Sequence, residues 1–186
     1  DVVYTDFDSL LLNTMGGHDE VNVESTHAGT TELNTNSGND TVTLETIAGN
    51  TTVNTGADAD TVNVGRQAPA TGGNVNGIGA VLTINGDGEA DILNVDDTAD
   101  AAGNTGTLTS TGITGLGMTG KIVYGTVESL TIGLGSGDDT FTVESTHAGT
   151  TELNTNSGND TVTLETIAGN TTVNTAAGSD TVNVRT

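Results

Sequence analysis

The chain has 186 residues, with two Phe, two Tyr, no Trp and no Cys, and 25 acidic residues against three basic ones for a net charge of −22. That balance excludes a nucleic-acid partner, whose phosphates need Lys and Arg, and it opposes contact with anionic membranes. No apolar run approaches the roughly 18 residues that cross a bilayer, so no membrane insertion is expected, and without Cys there is no disulfide framework.

The apolar residues are mostly Val, Leu and Ile, scattered among Thr, Asn and Gly. So few aromatics suit many short strands around a narrow aliphatic interior, since aromatics supply much of the buried area of ordinary cores. The chain opens at Asp1 in mid-pattern, which reads as a piece of a longer polypeptide.

Taken from the N-terminus, residues 13–23 (NTMGGHDEVNV) set a turn-and-strand pattern. It recurs at 34–44 (NTNSGNDTVTL), 54–64 (NTGADADTVNV), 85–95 (NGDGEADILNV), 133–143 (GLGSGDDTFTV), 154–164 (NTNSGNDTVTL) and 174–184 (NTAAGSDTVNV). After each turn the residues alternate, with Val42 and Leu44 on one side and Thr41 and Thr43 on the other, the period of a half-buried strand. Before the turns, Leu12, Leu33, Val53, Ile84, Ile132, Leu153 and Val173 share one position. A second turn, His-Ala-Gly-Thr or Ile-Ala-Gly-Asn, closes each regular repeat. The pattern's Asp falls at 19, 40, 60, 91, 139, 160 and 180, and its regular steps of 20 or 21 residues are the length of one solenoid coil. The expected fold is all-β, a β-solenoid of the parallel β-helix or β-roll kind with coils of about 20–21 residues.

Two stretches break the rhythm. Residues 65–79 hold the single Pro and read as a loop, and 96–125 read as either an extra coil or a hairpin without an acidic turn. A longer period encloses the short one: residues 23–55 return letter for letter at 143–175, and Val3-Tyr4 matches Val123-Tyr124. Residues 1–66 are thus the second part of a first 120-residue unit and 67–186 a complete unit, joined in one continuous solenoid.

Equivalent residues of neighbouring coils lie about 4.8 Å apart, so Asp19, Asp40 and Asp60 form one ladder of carboxylates and Asp139, Asp160 and Asp180 another. At an effective dielectric of about 20, such neighbours repel by roughly 3 kcal/mol. Calcium is the natural filler, because it takes oxygens from carboxylates and carbonyls in forgiving geometry. The Gly two residues before the Asp (Gly17, Gly38, Gly137, Gly158, Gly178) lets the turn adopt positive φ and aim carbonyls inward. The competing reading makes each Asp a turn former that bonds its own backbone.

GGHDEVNV, SGNDTVTL and GSGDDTFTV resemble the Gly-Gly-x-Gly-x-Asp-x-apolar-x nonapeptide of haemolysin-type (RTX) calcium-binding repeats. The longer unit looks like the tandem repeats of very large bacterial surface proteins. The resemblance implies several Ca²⁺ ions held between coils, with carboxylate ligands at Asp19, Asp40, Asp60, Asp91, Asp139, Asp160 and Asp180. Asn39, Asp58, Asp87, Asp138 and Asn159 are candidate ligands beside them. That family has two acidic turns per 18-residue coil, whereas this chain has one per 20 or 21, so a single column of ions is expected.

No nucleophile elbow, phosphate loop or zinc-like His cluster occurs, so the chain is not expected to be an enzyme. The expected function is a calcium-stabilised rod, spacer, matrix or fibre element of a secreted, bacterial cell-surface protein. Its partners are calcium and neighbouring repeats, in the same chain or in end-to-end copies. The alternative is a surface-binding module of an adhesin, using Thr and Asn ranks on ice or acidic loops on carbohydrate.

Overall fold

A computed structural model describes residues 7–185. The Val3-Tyr4 correspondence lies outside the described residues. The strands are β1 (Ser9–Asn13), β2 (Glu20–Val23), β3 (Thr30–Asn34), β4 (Thr41–Leu44), β5 (Thr51–Asn54), β6 (Thr61–Val64), β7 (Val81–Asn85) and β8 (Ile92–Asp96). They continue as β9 (Thr105–Thr109), β10 (Gly112–Gly115), β11 (Lys121–Gly125), β12 (Ser129–Gly133), β13 (Thr140–Val143), β14 (Thr150–Asn154), β15 (Thr161–Leu164), β16 (Thr171–Asn174) and β17 (Thr181–Val184). Among the described residues there is no helix.

The chain is all-β, with two sheets of repeated parallel strands. One has ten strands in the order β1-β3-β5-β7-β11-β10-β9-β13-β15-β17, the other seven in the order β16-β14-β12-β8-β6-β4-β2. Successive strands alternate between the sheets outside the 105–125 region, so each pair makes one circuit. Registers step by 20 or 21 residues in the regular parts: Leu12 pairs with Leu33, and Leu33 with Val53.

The alternation in sequence becomes alternation in burial. In β4, Val42 and Leu44 are fully buried while Thr41 and Thr43 are half-buried on the outer face. Inward columns run without a break from one half of the chain to the other. Val23, Leu44, Val64, Val95, Ile132, Leu153 and Val173 are successive partners in the seven-stranded sheet. Each fully buried Val, Leu or Ile contributes about 1.5–3 kcal/mol relative to an exposed one, which is how a core without Trp holds together. Phe141 and Tyr124 are the large exceptions, and Gly106 sits opposite Phe141 in register. A Cβ on Gly106 would come within 2.6 Å of the Phe141 ring.

Two polar ladders run along the sheet edges. The Asn amide after each pre-turn apolar residue donates to its predecessor: Asn34 to Asn13 at 2.9 Å, Asn54 to Asn34 at 2.7 Å, Asn85 to Asn54 at 2.7 Å and Asn174 to Asn154 at 2.7 Å. Except after Asn85, where Gly86 stands, the next residue is a Thr, and Thr35 donates its hydroxyl to the Thr55 carbonyl one circuit on at 2.8 Å.

The 96–125 stretch is a hairpin system. Strand β10 runs antiparallel to both β9 and β11, and all three join the ten-stranded sheet. The three together make a single visit to that sheet, so β1 to β11 make nine alternating visits, an odd number, and the next copy of the repeat starts in the other sheet. The identical segment TTELN is therefore β3 in the ten-stranded sheet and β14 in the seven-stranded sheet. Residues 65–79 carry no strand; they are turn-rich, with an isolated bridge between Ile47 and Ile78.

Candidate metal centre

The Asp turns link a strand of one sheet to a strand of the other. They need left-handed backbone at two places. The first is Met15, Asn36, Gly56, Asp87, Asn156 or Ala176; the second is Gly17, Gly38, Asp58, Glu89, Gly158 or Gly178. Asp58 and Glu89 stand where Gly stands elsewhere and still adopt φ of 82° and 77°. Gly137 departs from expectation and is not left-handed. A Cβ there would collide with Ala102 and Gly103, so packing accounts for that glycine.

The aspartates stack in two ladders. The Asp19 N–H donates to Asp40 Oδ1 at 2.7 Å, Asp40 N–H to Asp60 Oδ1 at 2.8 Å and Asp60 N–H to Asp91 Oδ1 at 2.9 Å. Glu128 caps this ladder, its Oε2 accepting from Asp91 N–H at 2.8 Å. The second ladder runs from Asn104 N–H to Asp139 Oδ1 at 2.7 Å, Asp139 N–H to Asp160 Oδ1 at 2.9 Å and Asp160 N–H to Asp180 Oδ1 at 3.0 Å.

The ladders lie on opposite edges. The strands of the ten-stranded sheet are parallel apart from β10. Asp19, Asp40, Asp60 and Asp91 follow the C-terminal ends of its strands, whereas Asp139, Asp160 and Asp180 precede the N-terminal ends of theirs. The two carboxylate ladders read from the sequence thus fall on opposite edges instead of in one line, because the three-strand insertion inverts the phase of the repeat.

Inside the ladders Asp40, Asp60, Asp91, Asp139 and Asp160 each use one oxygen and leave the other over. Asp40, Asp60, Asp91, Asp139 and Asp160 are 1–3% exposed. Oδ2 of these five, and of half-buried Asp19, is buried with no hydrogen-bond partner. An unpaired buried polar atom costs roughly 1–3 kcal/mol, more when charged. Burial is the main force raising the Asp60 and Asp139 carboxyl pKa values and pushing Asp91 up to about 6, with neighbouring carboxylates adding to it.

The five accompanying candidates are less enclosed. Asn39, Asp58, Asp87, Asp138 and Asn159 are exposed on the outer side of the turns. They form an outer network there: Asp58 Oδ2 accepts from Gly38 N–H at 3.1 Å, Asp138 Oδ1 from Asn159 N–H at 2.7 Å and Asn159 Oδ1 from Ser179 N–H at 3.0 Å. Their charges still act on the ladder carboxyls, Asp58 on Asp60, Asp87 on Asp91 and Asp138 on Asp139. Turn carbonyls also serve between circuits, as Ser37 and Ala57 do for Gly17 and Gly38 N–H.

A hard cation fits this donor set in kind. The rungs offer only oxygens: one unpartnered carboxylate oxygen per circuit, plus carbonyls with a second lone pair. Among the described residues no three His, Asp or Glu side chains form a ready-made cage, so water and carbonyls must complete any shell. Sequence reasoning missed Glu128, a capping residue with no marker in the repeat. Asp97 stands in the acidic run with Asp96 and Asp100, which in sequence reads either as a plain acidic loop or as an extra ion site.

No protein-family model, curated protein or solved structure matches the chain. The geometry defines an all-β tandem-repeat protein with two aspartate ladders.

Proposed function

We propose that the chain is a β-solenoid rod of RTX-like repeats whose turns are stapled by calcium, serving as a non-catalytic structural element of a bacterial cell-surface or secreted protein. One observation carries this reading: the same carboxylate oxygen is buried and unpartnered in circuit after circuit. Stacked carboxylates about 4.8 Å apart need a proton or a cation between them, and calcium outside cells is abundant enough for weak extracellular sites. Binding restricted to the folded chain stabilises it and couples folding to export into calcium. The outermost strands support the rod. Val182 and Val184 are exposed on β17, and an open strand edge invites a further circuit, from the same chain or an end-to-end copy.

The surface-binding alternative gains little support. The outward rank of the seven-stranded sheet runs Thr43, Asn63, Asn94, Thr131, Glu152 and Thr172, which is no regular Thr array. A groove of about 260 Å³ beside Pro69 is lined by Asn, Thr, Ala and Asp without an aromatic ring to stack on a sugar.

The test is far-UV circular dichroism during thermal melting, in millimolar calcium, in magnesium and in excess chelator. The proposal expects a higher melting temperature in calcium alone. Identical melting in all three would remove calcium from the account.

A further inference from the structure

The second ladder starts where loop 97–104 packs on turn 133–139. Main-chain bonds clamp the two: Asp97 N–H donates to the Gly133 carbonyl and Ser136 N–H to the Asp100 carbonyl, each at 2.8 Å. Asp97 is 1% exposed and Asp139 2%. Each commits Oδ1 to a backbone N–H, Asp97 from Val75 at 3.1 Å and Asp139 from Asn104 at 2.7 Å. In each, Oδ2 is buried without a partner. Burial pushes Asp97 up to about 7, and the charges of Asp100, Asp139 and Asp96 add to that. Asp100 also acts on Asp139. Asp100 is itself held ionised by Ala102 N–H at 2.8 Å and by the Asn76 and Asn104 amides at 2.9 and 3.1 Å.

No cationic side chain answers this charge. Among the described residues the ion pairs are Arg66 with Glu45 and Arg185 with Glu165. Nor does the repeat require an acid at Asp97. The residues six after the other aspartates include Ser25, Thr46, Ser145 and Thr166.

We propose that this seam is a separate divalent-cation site, with Asp97 and Asp139 as its anionic ligands, Asp100 as the third charge beside it, and carbonyls and water completing the shell. It rests on the calcium reading, shares Asp139 with the second ladder and takes Asp97 from outside it, and so clasps the hairpin insertion to that ladder. Asp97 and Asp139 each bring a buried, orphaned oxygen to the clamped loops, and the charges of Asp139 and Asp100 both act on Asp97, so this site is expected to be the tightest in the chain.

The test is calorimetric titration of the full chain with calcium, comparing wild type with Asp97→Asn, Asp139→Asn and, on the opposite edge, Asp60→Asn. Each Asn keeps the Oδ1 acceptor. Asp97→Asn and Asp139→Asn are each expected to remove the tightest ion or weaken it at least tenfold, while Asp60→Asn leaves it intact. Wild-type titration by both seam variants overturns the seam site. If Asp60→Asn then loses an ion, the ladder reading survives that failure. Loss on Asp97→Asn with wild-type titration by Asp60→Asn leaves the seam standing and removes the ion from the first ladder, whereas loss on Asp139→Asn but not on Asp97→Asn assigns the ion to the second ladder and overturns the seam. A wild type that binds no calcium overturns both. Circular dichroism in chelator checks folding: both seam variants must stay folded there, since each removes an unpaired buried charge, and unfolding of both contradicts the proposal.

Discussion

Asp60→Asn separates a cation ladder from a hydrogen-bonding ladder, because the two predict opposite signs. Asp60 accepts from Asp40 N–H, donates its own N–H to Asp91, and keeps Oδ2 buried without a partner. Asn preserves the acceptor and replaces the charged Oδ2 with a neutral amide. Without calcium, the change relieves repulsion with Asp40 and Asp91, at most about 3 kcal/mol for each pair at an effective dielectric of about 20. The new amide is buried without a partner and gives back about 1–3 kcal/mol. The net expectation in chelator is a gain of about 1–3 kcal/mol, or roughly 2–4 °C of melting temperature per kcal/mol for a chain of this size. In saturating calcium the variant has lost an anionic ligand. Where calcium stands at 100 times its dissociation constant, losing one ion costs about 2.7 kcal/mol, so the melting temperature falls below wild type. The assay is paired melting of both proteins in chelator and in calcium. Equal destabilisation in both conditions would refute the reasoning and leave Asp60 as a hydrogen-bonding turn residue.

Four further predictions follow from the geometry. In chelator, the raised pKa values of Asp91 (about 6) and Asp97 (about 7) mean that folded protein holds these protons more tightly than unfolded. Their contribution is fully present below the unfolded value near 4 and is lost as pH rises through 6 and 7. The melting temperature should therefore climb as pH is lowered from 7.5 towards 4.5, and saturating calcium should flatten that slope; a melting temperature that falls over this range in chelator contradicts it. Gly49→Ala should destabilise by about 3 kcal/mol or more, because its Cβ would run into the Gly29 carbonyl of the stacked turn. Gly88→Ala meets nothing within 4 Å and needs no left-handed φ, so denaturant unfolding should show a gain of about 0.4–1 kcal/mol. Met15 is 71% exposed with φ of 81°, so Met15→Gly should stabilise by about 1 kcal/mol, and an unchanged unfolding midpoint would argue against strain there.

Much of the fold was legible because the repeat makes the same demand at each circuit. Val42 and Leu44 alternate with Thr41 and Thr43, and each such strand is buried on one side only. The Asp spacing gave the stacking of Asp19, Asp40 and Asp60, but not the atoms involved. A period-2 pattern is the same for parallel and antiparallel neighbours, so Thr105–Gly125 did not reveal that β10 runs against β9 and β11. The inversion that puts the two ladders on opposite edges was hidden for a stronger reason: β3 and β14 are the same five residues in different sheets. The Asn column at 13, 34, 54 and 85 was visible as a constant residue, but only the stacked amides give it a role. Asp97 and Glu128 act through partners 22 and 37 residues away, Val75 and Asp91.

The most direct test is a crystal structure grown in calcium, with a companion crystal containing terbium, whose anomalous scattering locates the ions. The account predicts peaks beside the Oδ2 atoms of successive ladder aspartates on both edges, Asp40 and Asp60 on one and Asp139 and Asp160 on the other. Well-ordered turns with no anomalous peak on either edge would contradict it.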